Sequence, residues 1–292
     1  MALSQRRGRC MPNLSPLGFA ALLLATLGAV ATPAAAGCGE VVTLATHGSS
    51  KTSYSLAMPA GAASGDPIAL VLLAGGSGFI DLGADGCPRA LVGNSLLRAR
   101  PLWNGQGFAT ALVDAPTGYH GEDGLGGFRL SVQHAADLGK VIADVRRRTN
   151  MPVWLVGTSR GAISAANAAA RLKGKEAPDG LVLTSAVTVG NPDGRKPWVA
   201  QTVFDVALES IIMPVLVIAH ASDRCIRTPP SAAGRIAART RGQREQTVKV
   251  TGGPGGGGSG LEACEGRTPH GFLGQDAEIA AGIARFVRGG TY

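Results

Sequence analysis

Five residues, Gly157-Thr158-Ser159-Arg160-Gly161, hold the clearest chemistry in this chain. A serine hydroxyl becomes a nucleophile when a base removes its proton, and the base needs a third group to orient it. Ser159 has glycine two residues away on both sides. That spacing suits a turn too tight for a side chain at either flank. Residues 153–156 read as a short buried strand entering the turn. An Ala-rich segment to about residue 172 reads as a helix leaving it, with its positive end beside the serine. Glycine is common here, 43 of 292 residues, so the pentapeptide alone carries little weight. The strand before it and the helix after it carry the inference, because a strained strand-to-helix turn lifts such a serine clear of a sheet.

The base must come from five histidines. His47 falls in an early strand or its turn, His120 in a glycine-rich loop, His134 on the exposed side of a long helix and His220 at a strand end. His270 lies between the last strand and the last helix. From there a ring can swing back over the C-terminal edge of a sheet, where catalytic groups collect in open α/β folds. His270 is the expected base. Asp223, just beyond the strand at 214–219, is the expected acid. Asp193 is the runner-up, but its Asn-Pro-Asp-Gly turn explains it without catalysis; Asp114 falls on the wrong side of the chain order. An oxyanion would need backbone donors. The N–H of Arg160 is one, and the loop Gly75-Gly76-Ser77-Gly78 offers a second from either Gly76 or Ser77. The Arg160 side chain has two readings: it faces an acidic group of a substrate, or it packs on the flank of the sheet or in a salt bridge.

The elements that must position these groups alternate along the chain. Residues 40–46 and 53–58 read as a hairpin pair around Gly48-Ser49-Ser50. Strands are expected at 67–74, 108–113, 180–187, 214–219 and 246–250, besides the one entering the serine turn. Helices are expected at 91–103, 128–149, 231–241 and 276–287, besides the Ala-rich one. In 128–149, Leu130, Val132, Ala135, Leu138, Val141, Ile142 and Val145 recur at three- and four-residue steps. The alternation predicts an α/β fold, a mainly parallel sheet with helices on both faces. Aromatics are only 4% of the chain, so its core must be mostly Ala, Val, Leu and Ile. Residues 190–213, the longest insertion, are too few for a separate cap domain.

Residues 1–36 read as a secretory signal peptide: Arg6, Arg7 and Arg9, an apolar run at 17–31, then Ala29-Val30-Ala31 or Ala34-Ala35-Ala36 for cleavage. The catalytic domain is then 37–292. Removing three arginines and no acids lowers the formal charge from +8 to +5, and no stable membrane insertion is expected after cleavage. Four cysteines remain, which suits disulfides in an exported chain. Cys225 stands two residues past Asp223, and Cys264 six before His270. If the two loops meet, these cysteines meet as well, which leaves Cys38 for Cys87. No Cys-x-x-Cys or His-Glu-x-x-His occurs, so no metal is expected. The loop Gly75-Gly76-Ser77-Gly78 lacks the G-x-G-x-x-G spacing of a dinucleotide cofactor site, and no basic patch interleaved with aromatics indicates nucleic acid.

Together, Gly157-Thr158-Ser159-Arg160-Gly161, Asp223, His270-Gly271-Phe272 and Ala74-Gly75-Gly76 make nearly the whole mature chain resemble the α/β-hydrolase superfamily. It is similar to small, capless, exported bacterial hydrolases of the dienelactone-hydrolase type. The order serine, aspartate, histidine is that superfamily's triad order. Two features depart: the nucleophile is serine rather than the cysteine of dienelactone hydrolases, and the glycine loop lacks the histidine common in esterase oxyanion motifs. The resemblance implies an exported serine hydrolase cleaving a small-molecule ester or thioester through an acyl-enzyme. A peptidase or amidase on the same triad, or a binding protein without turnover, are the alternatives.

Overall fold

A computed structural model describes residues 38–59 and 65–292. The expected signal peptide lies outside the described residues.

Four hydrophobic strands set the frame because both of their faces are covered. They are β3 (Ile68–Leu73), β4 (Phe108–Val113), β5 (Val153–Thr158) and β7 (Val215–His220), and every residue in them is buried. With β6 (Gly180–Thr184) they pair in parallel. A strand buried on both faces reads as a continuous apolar run, which is why these were visible in the sequence. The edges look different. β1 (Glu40–Ala45) and β2 (Lys51–Ala57) add in antiparallel fashion at one side, and β8 (Glu245–Val250) closes the other with alternating exposure. The eight strands run in the order β1-β2-β4-β3-β5-β6-β7-β8.

Alternate strand residues feed two apolar layers. Ala69, Val71 and Leu73 face α2 (Val132–Thr149), α3 (Gly161–Arg171) and α4 (Ala233–Ala237). Ile68, Leu70 and Leu72 face α1 (Ser95–Gly105) and α5 (Asp276–Val287). The core is mostly aliphatic, with Trp103, Trp154, Tyr54, Phe108, Phe272 and Phe286 among its largest members. Among the described residues no segment forms a separate cap.

Several boundaries differ from expectation, each for a local reason. α1 begins at Ser95 rather than 91, because Asn94 caps it by accepting from the Leu96 N–H and Leu91 is left-handed at φ 53°. α2 begins at Val132, capped by Ser131, and ends at Asn150 in the left-handed conformation. α4 spans only five residues, since Thr240 turns back to donate to the Ala237 carbonyl. Cys38 and Cys87 form the expected disulfide, tying the start of β1 to the loop before α1.

His134 is the clearest correction. Expected on the exposed side of α2, it is 3% exposed, whereas Val132 on the same helix is 60% exposed. Its ring packs against Phe128. Burial, then the charge of Arg129 and the ring of His47, pushes its pKa down to about 3. A histidine held neutral in the fold takes a proton in the unfolded chain below its ordinary value. Its contribution to stability is therefore complete above about pH 6.5 and is lost as pH falls toward 3. Replacing it (His134→Leu) should flatten the acid limb of a denaturation-against-pH curve by at most about 1.4 kcal/mol per pH unit in that window. An unchanged slope would show that His134 is not the group responsible.

Candidate active site

The register brings three chain segments to one point at the C-terminal edge of the sheet. Leu73 pairs with Gly157, and Thr158 pairs with Thr184. The chain therefore leaves β3, β5 and β6 together, at Ala74-Gly75-Gly76, Ser159 and Ser185. Ser159 is left-handed, with φ 52°. Its N–H donates to the Thr184 carbonyl at 2.9 Å. A non-glycine residue held there costs about 1–2 kcal/mol, and the neighbouring glycines show what enforces it. A Cβ on Gly161 would lie 2.1 Å from the Leu73 carbonyl oxygen, and one on Gly157 would lie 2.6 Å from the Gly161 oxygen. The turn is stapled to the adjoining strand by backbone contact.

His270 and Asp223 meet as expected. His270 Nδ1 lies 3.0 Å from Asp223 Oδ2, and both side chains are buried. The Cys225 N–H donates to Asp223 Oδ1 at 2.9 Å, and the Thr228 hydroxyl donates to Oδ2 at 2.8 Å. Thr228 Oγ1 is also 3.0 Å from His270 Nδ1. With its one proton given to Asp223, that hydroxyl can only accept from the ring, as the ionised carboxylate does. The network therefore places the ring proton on Nδ1 and leaves the Nε2 lone pair free. Ser185 fixes the backbone behind the ring by donating to the His270 carbonyl at 2.7 Å.

Cys225 and Cys264 are bridged, with their Cα atoms 4.6 Å apart. The bridge ties the loop of Asp223 to the loop of His270. Asp223, Cys225 and His270 are the one group of three potential metal ligands among the described residues. Cys225 is committed to the disulfide, and the other two are committed to each other. The runner-up acids stand elsewhere: Asp193 is exposed in its turn, and Asp114 accepts from the N–H groups of Ile80, Leu82 and Ala115.

Ser159 and His270 line one cleft of about 950 Å³ together with Gly75, Gly76 and Arg160. No direct hydrogen bond joins the two, and such contacts commonly tighten only when substrate is bound. Gly76 is left-handed at φ 57°. Among the described residues no hydrogen bond engages its N–H or that of Arg160. Ser77 is not on the cleft wall; its carbonyl accepts from Leu125 and its hydroxyl from the Phe79 N–H.

With this geometry in hand, the likeness to solved structures is informative. Est1E from Butyrivibrio proteoclasticus matches at 14% identity with a TM-score of 0.55, covering 85% of this chain and 98% of that one. A dienelactone hydrolase from Anabaena variabilis matches at 16% and 0.52, covering 86% and 96%. An alpha-beta serine hydrolase homologue from Coxiella burnetii matches at 15% and 0.50, covering 85% and 97%. The fold is that of the α/β-hydrolases. No protein-family model matches the chain, and no curated protein matches it in sequence.

Within this α/β-hydrolase fold, some site residues carried no signal in the sequence. Thr228 belongs to no pattern; it is one of many threonines until β7 and the His270 loop are brought together. Gly75 looks no different in sequence from the glycines beside it, yet it packs directly under the serine. A Cβ there would sit 2.8 Å from Ser159 Cβ. Arg129 is fully buried and donates to Ser164 and to the carbonyls of Ala74 and Gly76, bracing the glycine loop from behind.

Two outcomes follow from the packing. Gly161→Ala should lose soluble folded protein or at least 2 kcal/mol of stability in denaturant; a variant as stable as the parent would mean the turn relaxes freely. Cys225→Ser with Cys264→Ser opens a loop closed over a separation of 39 residues. Unfolding in urea should show a loss of about 2–4 kcal/mol.

Proposed function

We propose that the chain is an exported serine hydrolase that cleaves an ester or thioester through an acyl-enzyme. The observation that carries this reading is the placement of Ser159, on a left-handed turn, in the same cleft as a histidine whose Nδ1 is held by a buried aspartate. Ser159 Oγ attacks the carbonyl carbon while His270 Nε2 takes its proton. Asp223 stabilises the imidazolium without being protonated itself. The oxygen of the tetrahedral intermediate is received by the N–H groups of Arg160 and Gly76, at the N-terminus of α3 where the helix dipole also favours negative charge. His270 then returns the proton to the leaving oxygen or sulfur, and water repeats the sequence to free the acid. Gly76 is preferred to Ser77 because only Gly76 lines the cleft. Thr228 is a positioning residue, holding Asp223 and the His270 ring in one arrangement.

The likeness to a dienelactone hydrolase and to an alpha-beta serine hydrolase homologue supports the same chemistry. Export is supported by the two disulfides, which persist in oxidising compartments, and by the pattern of residues 1–36. Among the described residues no helix is long and apolar enough to cross a membrane.

An active-site-directed fluorophosphonate tests the reading. The mature protein should be labelled, and Ser159→Ala should not. Asp223→Asn should lower kcat on a para-nitrophenyl ester by about ten-thousand-fold. A silent parent protein would favour a binding role on this scaffold. Equal efficiency on a para-nitroanilide would shift the reading to an amidase.

A further inference from the structure

The residue after the nucleophile contributes more than its N–H. The Arg160 side chain is half-buried in the cleft and lies over the Trp198 ring, 4.7 Å from its centroid. Trp198 itself is backed by Gly126, where a Cβ would strike the indole at 2.9 Å. The guanidinium is thus held in place on an aromatic face, and no hydrogen bond or salt bridge within the described residues engages it. A second guanidinium, Arg227, lines the same cleft. It is anchored by donating to the carbonyls of Val189 and Val199 and has no carboxylate partner. The two are close enough for Arg227 to depress the basicity of Arg160, after the larger effect of burial.

The acids nearby do not neutralise this pair. Asp123 exerts a pull on Arg160 but is bound to Lys196. Glu265 is the one carboxylate lining the cleft, against Arg160, Arg195, Lys196 and Arg227, and it lies exposed on the loop that carries His270. Two like charges held at one cleft wall repel each other, and each has lost part of its hydration. The forces are balanced when an anion enters between them. Guanidinium forks match a carboxylate or phosphate in geometry as well as charge.

We propose that Arg160 and Arg227 form an anion-binding subsite, and that the substrate is an ester or thioester bearing a carboxylate or similar anionic group a few bonds from the scissile carbonyl. This rests on the hydrolase reading above and adds its substrate class.

The test compares kcat/KM for three esters on the mature protein. One is neutral para-nitrophenyl hexanoate. One is the para-nitrophenyl monoester of adipate, with the anion on the acyl chain. One is a carboxylated nitrophenyl hexanoate, with the anion on the leaving group. At least one anionic ester should exceed the neutral one by about tenfold or more, and the arm that does so assigns the side. In Arg160→Gln and in Arg227→Gln that ratio should fall toward one, with Arg160→Lys retaining part of it. Added salt should compress it as well. A ratio near one in the parent, or one unmoved by both substitutions, overturns the subsite while leaving the hydrolase reading intact. If the parent hydrolyses none of the three and takes no fluorophosphonate, the hydrolase reading fails. The subsite is then decided by adipate titrated into Ser159→Ala, followed by tryptophan fluorescence. A saturable change that weakens about tenfold or more in the background of Arg227→Gln upholds it; no saturable change overturns it.

Discussion

The site depends on a close approach of backbone to backbone. Leu73 at the end of β3 runs against Gly161 at the start of α3, and Gly75 runs against Ser159, at separations that leave no room for a Cβ. This contact fixes the turn after β5 and holds Ser159 in the left-handed region. The local cost is offset by what surrounds it. β5 is buried throughout, and α3 is buried along all but its last residue. The alanines that give α3 its helix propensity also let it lie close on the sheet. A larger side chain on the inner face of α3 would lift the helix and release the strain that exposes the serine.

A second constraint acts across the cleft. A buried carboxylate is tolerable only when its lone pairs are satisfied. Asp223 meets this with a backbone N–H, a hydroxyl and an imidazole, all drawn from the segment after β7 and the loop before α5. The aspartate is thus held from three directions, the His270 ring among them. The disulfide joins the two segments, so the reach between them is restricted even where the intervening residues 252–260 are mostly glycine. Ser185, at the end of the strand between those of Ser159 and Asp223, links the His270 backbone to the sheet. One ladder of parallel strands therefore sets the positions of all three side chains.

These two constraints explain what was legible in the sequence. The central strands were readable because burial on both faces makes them continuous apolar runs, and the serine turn was readable because steric exclusion writes itself as glycine. Both cysteine pairings were expected, one of them because loops that must meet bring their cysteines along. Features that depend on the docking of distant elements were not readable. His134 sits one step off the apolar stripe of α2, and only the rotation of that helix against β1–β2 and the Phe128 ring decides that it is buried. Thr228 gains its role from the packing of two loops. Gly75 and Gly76 look alike in sequence and both line the cleft, but Gly75 packs under Ser159 and Gly76 is the left-handed one.

The charge around Ser159 bears on the proposed chemistry in opposing ways. In the proposed reaction, cations at the cleft wall would favour the developing oxyanion and an anionic substrate, yet would disfavour an imidazolium at His270 in the same step. Coulombic effects weaken with distance and with exposure to solvent. Asp223 is in direct contact with the ring and fully shielded, whereas the guanidiniums of Arg160 and Arg227 border an open cleft. The shielded contact is the nearer one to the His270 ring, so a cationic wall is compatible with the proposed role of that ring. Asp223 is fully buried, whereas Arg160 and Arg227 are only half-buried and line the cleft. The group that must act on one fixed partner is sealed beside it, and the groups that would meet a ligand are left within its reach.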